Sequence, residues 1–354
     1  MAETIFITGG AGFIGSHLTA KFLEHGDRVV IYDSFTAFIP PWDNSRYHQF
    51  LTHRLDRLKA LAAAHPAGLG SLTIIEGDIR NVSLLHRVLA QTKPDVVIHL
   101  AGVPIADASK KFIEDMMAIN LQGTTNVLNA VKDLGIRRLV YTSSSMIYGN
   151  FCRWPADEDH PANPLETYGA TKYCGEVMTK TFGAMFGLEY VIVRPCSVYG
   201  PTDCNRRIVQ RFIEFAIAGQ EVSLYDGGQS CLDFTYVEDV AQGFFLAAMH
   251  PAAGGHTFNI TRGEGRTLLE LAEIVRAHFP QLRIRQAGAD PVTRPKRGAM
   301  AIDKAARVMG FSPKYSLEDG VAAYVEFYRD LVPSARPKIV VTAPMRPQMV
   351  KLKS

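Results

Sequence analysis

Thr4-Ile5-Phe6-Ile7-Thr8-Gly9-Gly10-Ala11-Gly12-Phe13-Ile14-Gly15 stands at the start of the chain, and eighteen residues after Gly15 comes Asp33, at the end of a second apolar run, Arg28–Tyr32. Residues 4–8 are β-branched or aromatic, as in a buried strand. The glycines at 9, 12 and 15 are spaced for a strand–turn–helix around a dinucleotide. Gly9 permits the tight turn, Gly12 lets the backbone approach a pyrophosphate, and Gly15 lets the helix pack closely on the strand. Phe13 and Ile14 open that helix, whose free N–H groups meet the negative charge. A carboxylate at position 33 binds the ribose hydroxyls and repels a 2′-phosphate. No arginine or lysine immediately follows it, so the pattern predicts NAD rather than NADP. A glycine loop alone is weak evidence; one that follows a strand, opens a helix and is joined to such an acid is specific.

Four further apolar runs, Leu72–Glu76, Asp95–Leu100, Arg138–Thr142 and Glu189–Arg194, lack strict alternation, as expected of parallel strands covered on both faces. Helical stretches lie between the runs, among them Ile14–His25, Val82–Gln91, Asn120–Leu134 and Tyr168–Phe186. Strand–helix alternation predicts an α/β fold, a Rossmann-type doubly wound parallel sheet. After Pro195 the loops lengthen, and Thr267–Phe279 reads as an amphipathic helix with Thr267 and Glu270 at capping-box spacing. The expected organisation is an NAD-binding domain over 1–195 and 233–258, with a return to the sheet near Phe234–Met249. A smaller C-terminal substrate-binding domain occupies 196–232 and 259–330, and 331–354 is an extended, proline-punctuated basic tail.

Composition narrows the function. Hydrophobic residues make up 47% and charged residues 21% of 354, which suits a globular chain with a large core. No apolar run is long enough to span a membrane, and the N-terminal strand leaves no room for a signal peptide. The net charge of +3 belongs to the tail: residues 333–354 hold five basic residues and no acid, so the remainder carries −2 and nucleic acid is not an expected partner. Cys152, Cys174, Cys196, Cys204 and Cys231 form no Cys-x-x-Cys pair and are odd in number, which argues against a metal site or disulfide framework and for the reducing cytoplasm.

A second constellation carries the chemistry. Tyr168 and Lys172, four apart, share one helix face. An ammonium beside a phenol lowers a pKa that starts near ~10, so Tyr168 is expected to take a proton from a substrate hydroxyl as hydride leaves for NAD. Upstream, the run Arg138–Thr142 ends in Ser143-Ser144-Ser145-Met146-Ile147-Tyr148-Gly149. Hydroxyls there face the cleft in which such sheets bind ligands.

With these motifs the chain resembles the NAD-dependent epimerase/dehydratase family, the extended short-chain dehydrogenases/reductases that act on nucleotide sugars. The resemblance covers about residues 3–330 and rests on Gly9–Gly15, Asp33, Asp78, His99–Gly102, Asn120, Gly123-Thr124, Thr142–Gly149, Tyr168–Lys172, Arg194–Pro201, Asp233–Asp239 and Gly310–Pro313. It implies Ser144, Tyr168 and Lys172 as catalytic residues and a homodimer formed through helices Asn120–Leu134 and Tyr168–Phe186. It adds Asp78, Ile79, Leu100, Ala101, Gly102 and Asn120 to the cofactor site, with Asp78 at the adenine edge. His99 reads as a core histidine at a strand end. In the family's 4,6-dehydratases the two residues after the catalytic hydroxyl are Asp and Glu; here they are Ser145 and Met146. Methionine transfers no proton, so the resemblance implies a C4 epimerase, with a nucleotide-sugar dehydrogenase or reductase as the alternative. A non-catalytic dinucleotide sensor is disfavoured by the retained Tyr168 and Lys172. Family epimerases usually grip the diphosphate with an arginine where Leu232 stands, which turns attention to Arg206 and Arg207, or Arg294 and Arg297. Ser145 and Ser197 complete the expected substrate contacts. Ser197 replaces a frequent asparagine, as in glucuronate 4-epimerases.

Overall fold

The computed structural model describes residues 2–38, 44–66, 70–103, 112–289 and 295–331. The tail and Arg294 lie outside them. Six strands fall where the apolar runs predict: β1 Thr4–Thr8, β2 Arg28–Asp33, β3 Leu72–Glu76, β4 Val96–His99, β5 Arg138–Thr142 and β6 Glu189–Pro195. Short strands follow: β7 Val198–Tyr199, β8 Val222–Leu224, β9 Cys231–Leu232 and β10 Thr235–Tyr236. Then come β11 His256–Ile260, β12 Arg266–Thr267 and β13 Ile284–Gln286. Seven of these form one all-parallel sheet in the order β11-β6-β5-β4-β1-β2-β3. The order reverses between β1 and β4, the switch point where doubly wound sheets open a crevice beyond the strand C-termini. Thr8 lies opposite both Tyr32 and His99, so Gly9, Asp33 and Leu100 emerge together at that edge.

Helices cover both faces. On one side lie α1 Phe13–His25, α2 Asn44–Ala64 and, later in the chain, α8 Val237–Met249. On the other lie α3 Val82–Thr92, α4 Ile113–Met116 continued through a π-helical turn Met117–Gly123 into α5 Thr124–Asp133, and α6 Thr167–Phe186. The helix expected from Asn120 therefore begins earlier. Helices α7 Ile208–Ile217, α9 Leu268–His278, α10 Asp303–Met309 and α11 Leu317–Leu331 complete the described chain. The capping box of α9 forms as its spacing predicts, with Thr267 and Glu270 satisfying each other's backbone N–H.

Two features correct the sequence reading. The return to the sheet is not near Phe234–Met249, where the chain forms α8; it is β11, which pairs with β6. The C-terminal elements also do not pack around a core of their own. Phe212 and Ile213 of α7, Leu271 and Val275 of α9, and Val321 and Tyr324 of α11 join the same buried cluster as Ile5, Val140 and Val193 of the sheet.

Buried ionic contacts brace this frame. Arg194 in β6 forms a two-pronged pair with Glu176 of α6 at 2.8 and 2.7 Å and donates to the Tyr148 hydroxyl at 2.8 Å. That hydroxyl in turn donates to Asn259 of β11, so the Ser144–Gly149 turn is tied to two strands and a helix. Arg138 donates to the carbonyls of Ala247, Ala248 and His250, which closes the C-terminal end of α8.

Candidate active site

A cavity of about 1130 Å³ opens at the switch point. Its floor is the glycine loop. Gly9 takes φ +72°, and a Cβ there would stand 2.7 Å from the Ala101 nitrogen; a Cβ on Gly15 would stand 2.3 Å from the Gly9 carbonyl oxygen. Only glycine fits a turn this tight. Gly9, Gly12, Phe13, Ile14 and Gly15 all line the cavity, as do Asp33, Asp78, Ile79, Leu100, Ala101 and Gly102. The Asp33 carboxylate accepts from the N–H groups of Ala11 at 3.0 Å and Phe35 at 2.9 Å. Burial raises its pKa against those two bonds and the nearby Arg54 charge. A carboxylate has about four acceptor positions, so two remain for hydroxyls. The buried Thr142 and Ser143 hydroxyls find no protein partner. A close-approach backbone cradle, an acid with spare acceptors and unmatched hydroxyls fit a dinucleotide.

Two residues expected at the cofactor also have partners within the protein. Asp78 lines the cavity, but Arg80 takes both its carboxylate oxygens, Oδ1 at 3.1 Å and Oδ2 at 2.6 Å, and holds it below the usual carboxylate range. Asn120 is buried behind Gly102: its side-chain oxygen accepts the Val103 N–H at 2.8 Å and its amide donates to Thr171 at 3.2 Å. His99 is a core histidine, with ring nitrogens on Thr8 at 2.8 Å and Thr124 at 3.0 Å; burial drives its pKa down to about 3.

At the far wall, β5 ends in the serine turn, and α6 begins one loop later. Ser144 caps a 3₁₀ turn, accepting the Met146 N–H at 3.2 Å, and its hydroxyl bonds the Tyr168 phenol. Lys172, one turn along α6, is buried and donates to the Thr142 carbonyl at 2.9 Å. Ser144, Tyr168 and Lys172 therefore converge on the cavity. Their electrostatics differ from the sequence expectation. Burial raises the phenol, and the charge of Arg207 and the Ser144 bond oppose that rise; Lys172 is itself pushed down to about 8 by burial.

Arg206 and Arg207 also line the cavity, Arg207 close enough for its charge to act on the Tyr168 phenol. Arg207 is fixed by Asp203 at 2.7 Å and lies 5.8 Å from the centre of the Phe13 ring. Leu232 and Ser197 are also on the wall. Two cavity residues went unassigned in sequence. Arg54, from α2, is buried and donates to the Ala11 carbonyl at 3.1 Å, locking the glycine loop. The helical spacing of Leu51, Leu55 and Leu58 signals α2, but nothing marks Arg54 on it. Tyr47 lies two turns earlier on the same helix, and its phenol is pushed up to about 12, first by burial and then by the Asp33 charge. No group of three or more potential metal ligands occurs among the described residues.

A model of the NAD dependent epimerase/dehydratase family matches residues 5–261. The UDP-glucose 4-epimerase of Mycolicibacterium smegmatis is 28% identical over 337 residues, covering 92% of this chain and 98% of its own. Among solved structures, the UDP-glucuronic acid 4-epimerase of Bacillus cereus, in complex with UDP-glucuronic acid and NAD, superposes with a TM-score of 0.82 at 27% identity, over 93% of this chain and 100% of that one. The dTDP-glucose 4,6-dehydratase DesIV of Streptomyces venezuelae, with NAD bound, gives 0.80 at 26% identity, over 92% and 97%.

Proposed function

Because the chain belongs to the NAD dependent epimerase/dehydratase family, we propose that it inverts C4 of a nucleotide-diphosphate sugar through a transient 4-keto sugar. NAD, the family's cofactor, supplies when bound the acceptor that takes hydride from C4 and the donor that returns it. The chain's residues do the rest. The glycine loop and the N-terminus of α1 hold the pyrophosphate, and Asp33 holds ribose hydroxyls. Tyr168 takes the C4 hydroxyl proton and gives it back, with Ser144 bonding the same oxygen. Lys172 adds positive charge near the phenolate and holds the nicotinamide ribose. Arg206 or Arg207 grips the diphosphate that Leu232 cannot.

One observation carries this reading. At the wall beside Ser144, where elimination of water would need a further acid and base, stand the Ser145 hydroxyl and the Met146 thioether. The Ser145 hydroxyl is bonded to the Cys196 thiol and the thioether to Arg297. Neither transfers a proton at neutral pH, which leaves oxidation and re-reduction at one carbon. The test is a panel of nucleotide sugars with products followed by NMR. An epimerase accumulates the C4 epimer far beyond enzyme concentration with no net NADH and no solvent deuterium at C4 or C5. Stoichiometric NADH would support the dehydrogenase alternative, and deuterium at C5 with loss of the C6 hydroxyl a dehydratase.

A homodimer completes the proposal. Tyr173 and Val177, one turn apart on α6, are exposed, as are Ile113 and Met117 on α4 and the π turn, and an exposed apolar stripe of this kind suits pairing with a second copy. A monomer by sedimentation at micromolar concentration would refute it. The five cysteines are free thiols, which suits a cytoplasmic enzyme; fractionation of cells tests that location. No helix among the described residues is long and apolar enough to cross a membrane.

A further inference from the structure

Arg297 enters the cavity from a segment fixed on both sides. The Phe151 N–H donates to the Lys296 carbonyl at 2.8 Å, the Lys296 N–H donates to Asn150 at 2.8 Å, and the Met300 N–H donates to Asp233 at 3.0 Å. The guanidinium is therefore placed, yet it is poorly matched. Its Nη1 lies 3.3 Å from the Met146 sulfur, and its buried Nε has no partner. A thioether is a weak acceptor, and a half-buried guanidinium whose Nε is cut off from water with no acceptor is under-satisfied. No acidic side chain among the described residues pairs with it.

Two hydroxyls beside it are in the same condition. Ser145 bonds the Cys196 thiol, and Ser197 Oγ lies 3.7 Å from the same sulfur. Ser197 also holds φ at +39°, a conformation that disfavours a side chain and costs about 1–3 kcal/mol. A fork of charged donors and two hydroxyls, all facing sulfur, is a site built for oxygen. Arg297 touches Met146, two residues beyond Ser144, which bonds the phenol that receives the C4 proton. In a pyranose the exocyclic C6 is two bonds from C4, whereas the diphosphate leaves C1 across the ring. Arg206 and Arg207, which also line the cavity, are the groups proposed above for the diphosphate.

We propose that the sugar is a uronate, its C6 carboxylate held by the Arg297 guanidinium with the Ser145 and Ser197 hydroxyls; this rests on the C4 reading given above. A hydroxymethyl group at C6 would bring no counter-charge to the guanidinium, and sites that bury charged donors discriminate strongly against ligands that leave them unpaired.

The test compares hexose and uronate forms of the same nucleotide, UDP-glucose with UDP-glucuronate and the dTDP pair, on the full-length protein, with kcat/KM read by NMR. The wild type is expected to prefer the uronate. A charge-assisted contact is worth about 1.5–3 kcal/mol, so R297M should lower the uronate-to-hexose ratio of kcat/KM by about 10- to 150-fold. R297K, which keeps the charge but not the planar fork, should fall between, and the NAD content of both variants shows that they are folded. Three results overturn the proposal: a preference for the hexose, an equal loss on both sugars in the variants (which would assign Arg297 to the diphosphate), or failure of the wild type to bind either uronate. In the first two the C4 reading stands. Uronate consumed with loss of carbon dioxide supports the carboxylate site while removing the epimerase reading.

Discussion

Tyr168→Phe keeps the aromatic ring and deletes only the oxygen, and the structure separates what that oxygen does from what its neighbours do. The phenol bonds Ser144, whereas Lys172 is anchored independently on the Thr142 carbonyl at 2.9 Å. Losing one neutral hydrogen bond costs about 0.5–1.5 kcal/mol of stability, so the variant should fold and keep the lysine in place. Losing the general base should lower kcat by about 10²–10⁴. At about 1.36 kcal/mol per decade, that is roughly 2.7–5.4 kcal/mol of barrier. Burial holds the free phenol above its ordinary 10.0, so less of it is ionised at neutral pH than in solution. Wild-type rate should therefore rise with pH as the base form becomes more populated, and the variant should lose that dependence. The assay is epimer formation by NMR across pH, with bound NAD measured after acid extraction. A kcat within about tenfold of wild type with NAD retained, or an unaltered pH profile, would show that another group takes the proton.

Gly15→Ala should abolish NAD retention, because the new Cβ would stand 2.3 Å from a backbone oxygen that cannot swing away; calorimetry showing wild-type affinity would refute the cradle. Arg207→Ala should raise the nucleotide-sugar KM by about 10- to 150-fold with NAD binding unchanged, and unchanged kinetics in R206A, R207A and the double variant would remove this loop from the diphosphate. His99 makes the protein acid-labile. The unfolded chain takes up a proton near the ordinary 6.5 while the folded one resists until about 3, so stability falls as pH drops through that window. The slope approaches about 1.4 kcal/mol per pH unit. His99→Gln should flatten urea midpoints measured between those limits, and an unchanged pH dependence would contradict the assignment.

The sheet was legible because most of its strands are buried on both faces and all are interrupted by turn residues, so apolar runs mark them to within about a residue. The seventh strand was not. Val240, Ala241, Phe244, Phe245, Leu246, Ala247 and Ala248 make α8 apolar around most of its circumference, because it packs between α1 and the sheet. A helix buried that deeply has no polar face to reveal its period, so it reads like a strand. His256–Ile260 in turn carries His, Thr and Asn, which lower its apolar signal although four of its five residues are buried. Among site residues, the glycines, Asp33 and the Tyr168–Lys172 pair were legible because their spacing along the chain encodes their geometry, whereas Ser144 was picked from a run of serines only by the family resemblance. Arg54 was not legible, because it acts through a contact 43 residues away in the sequence; Arg297 was offered only for the diphosphate, and its contact with Met146 spans 151 residues. Asp78 shows the opposite limit: position was readable, but the local claim of Arg80 on its carboxylate is a matter of rotamers.

The apolar cluster shared by the sheet and the C-terminal helices has a consequence for how specificity can be re-engineered. Cavity residues sit on α7, at the start of α9 and on the segment before α10, yet Phe212, Leu271 and Val275 belong to the same buried cluster as Val140 and Val193 of the sheet. A graft of the substrate-side segments from a relative would bring pocket residues together with foreign core packing, and each mismatched methylene or void would cost about 1 kcal/mol or more. Transplanting only pocket-facing side chains onto the native backbone avoids that penalty. Such point-substituted variants should keep a single wild-type melting transition, whereas segment chimeras should melt earlier unless their buried partners are exchanged with them.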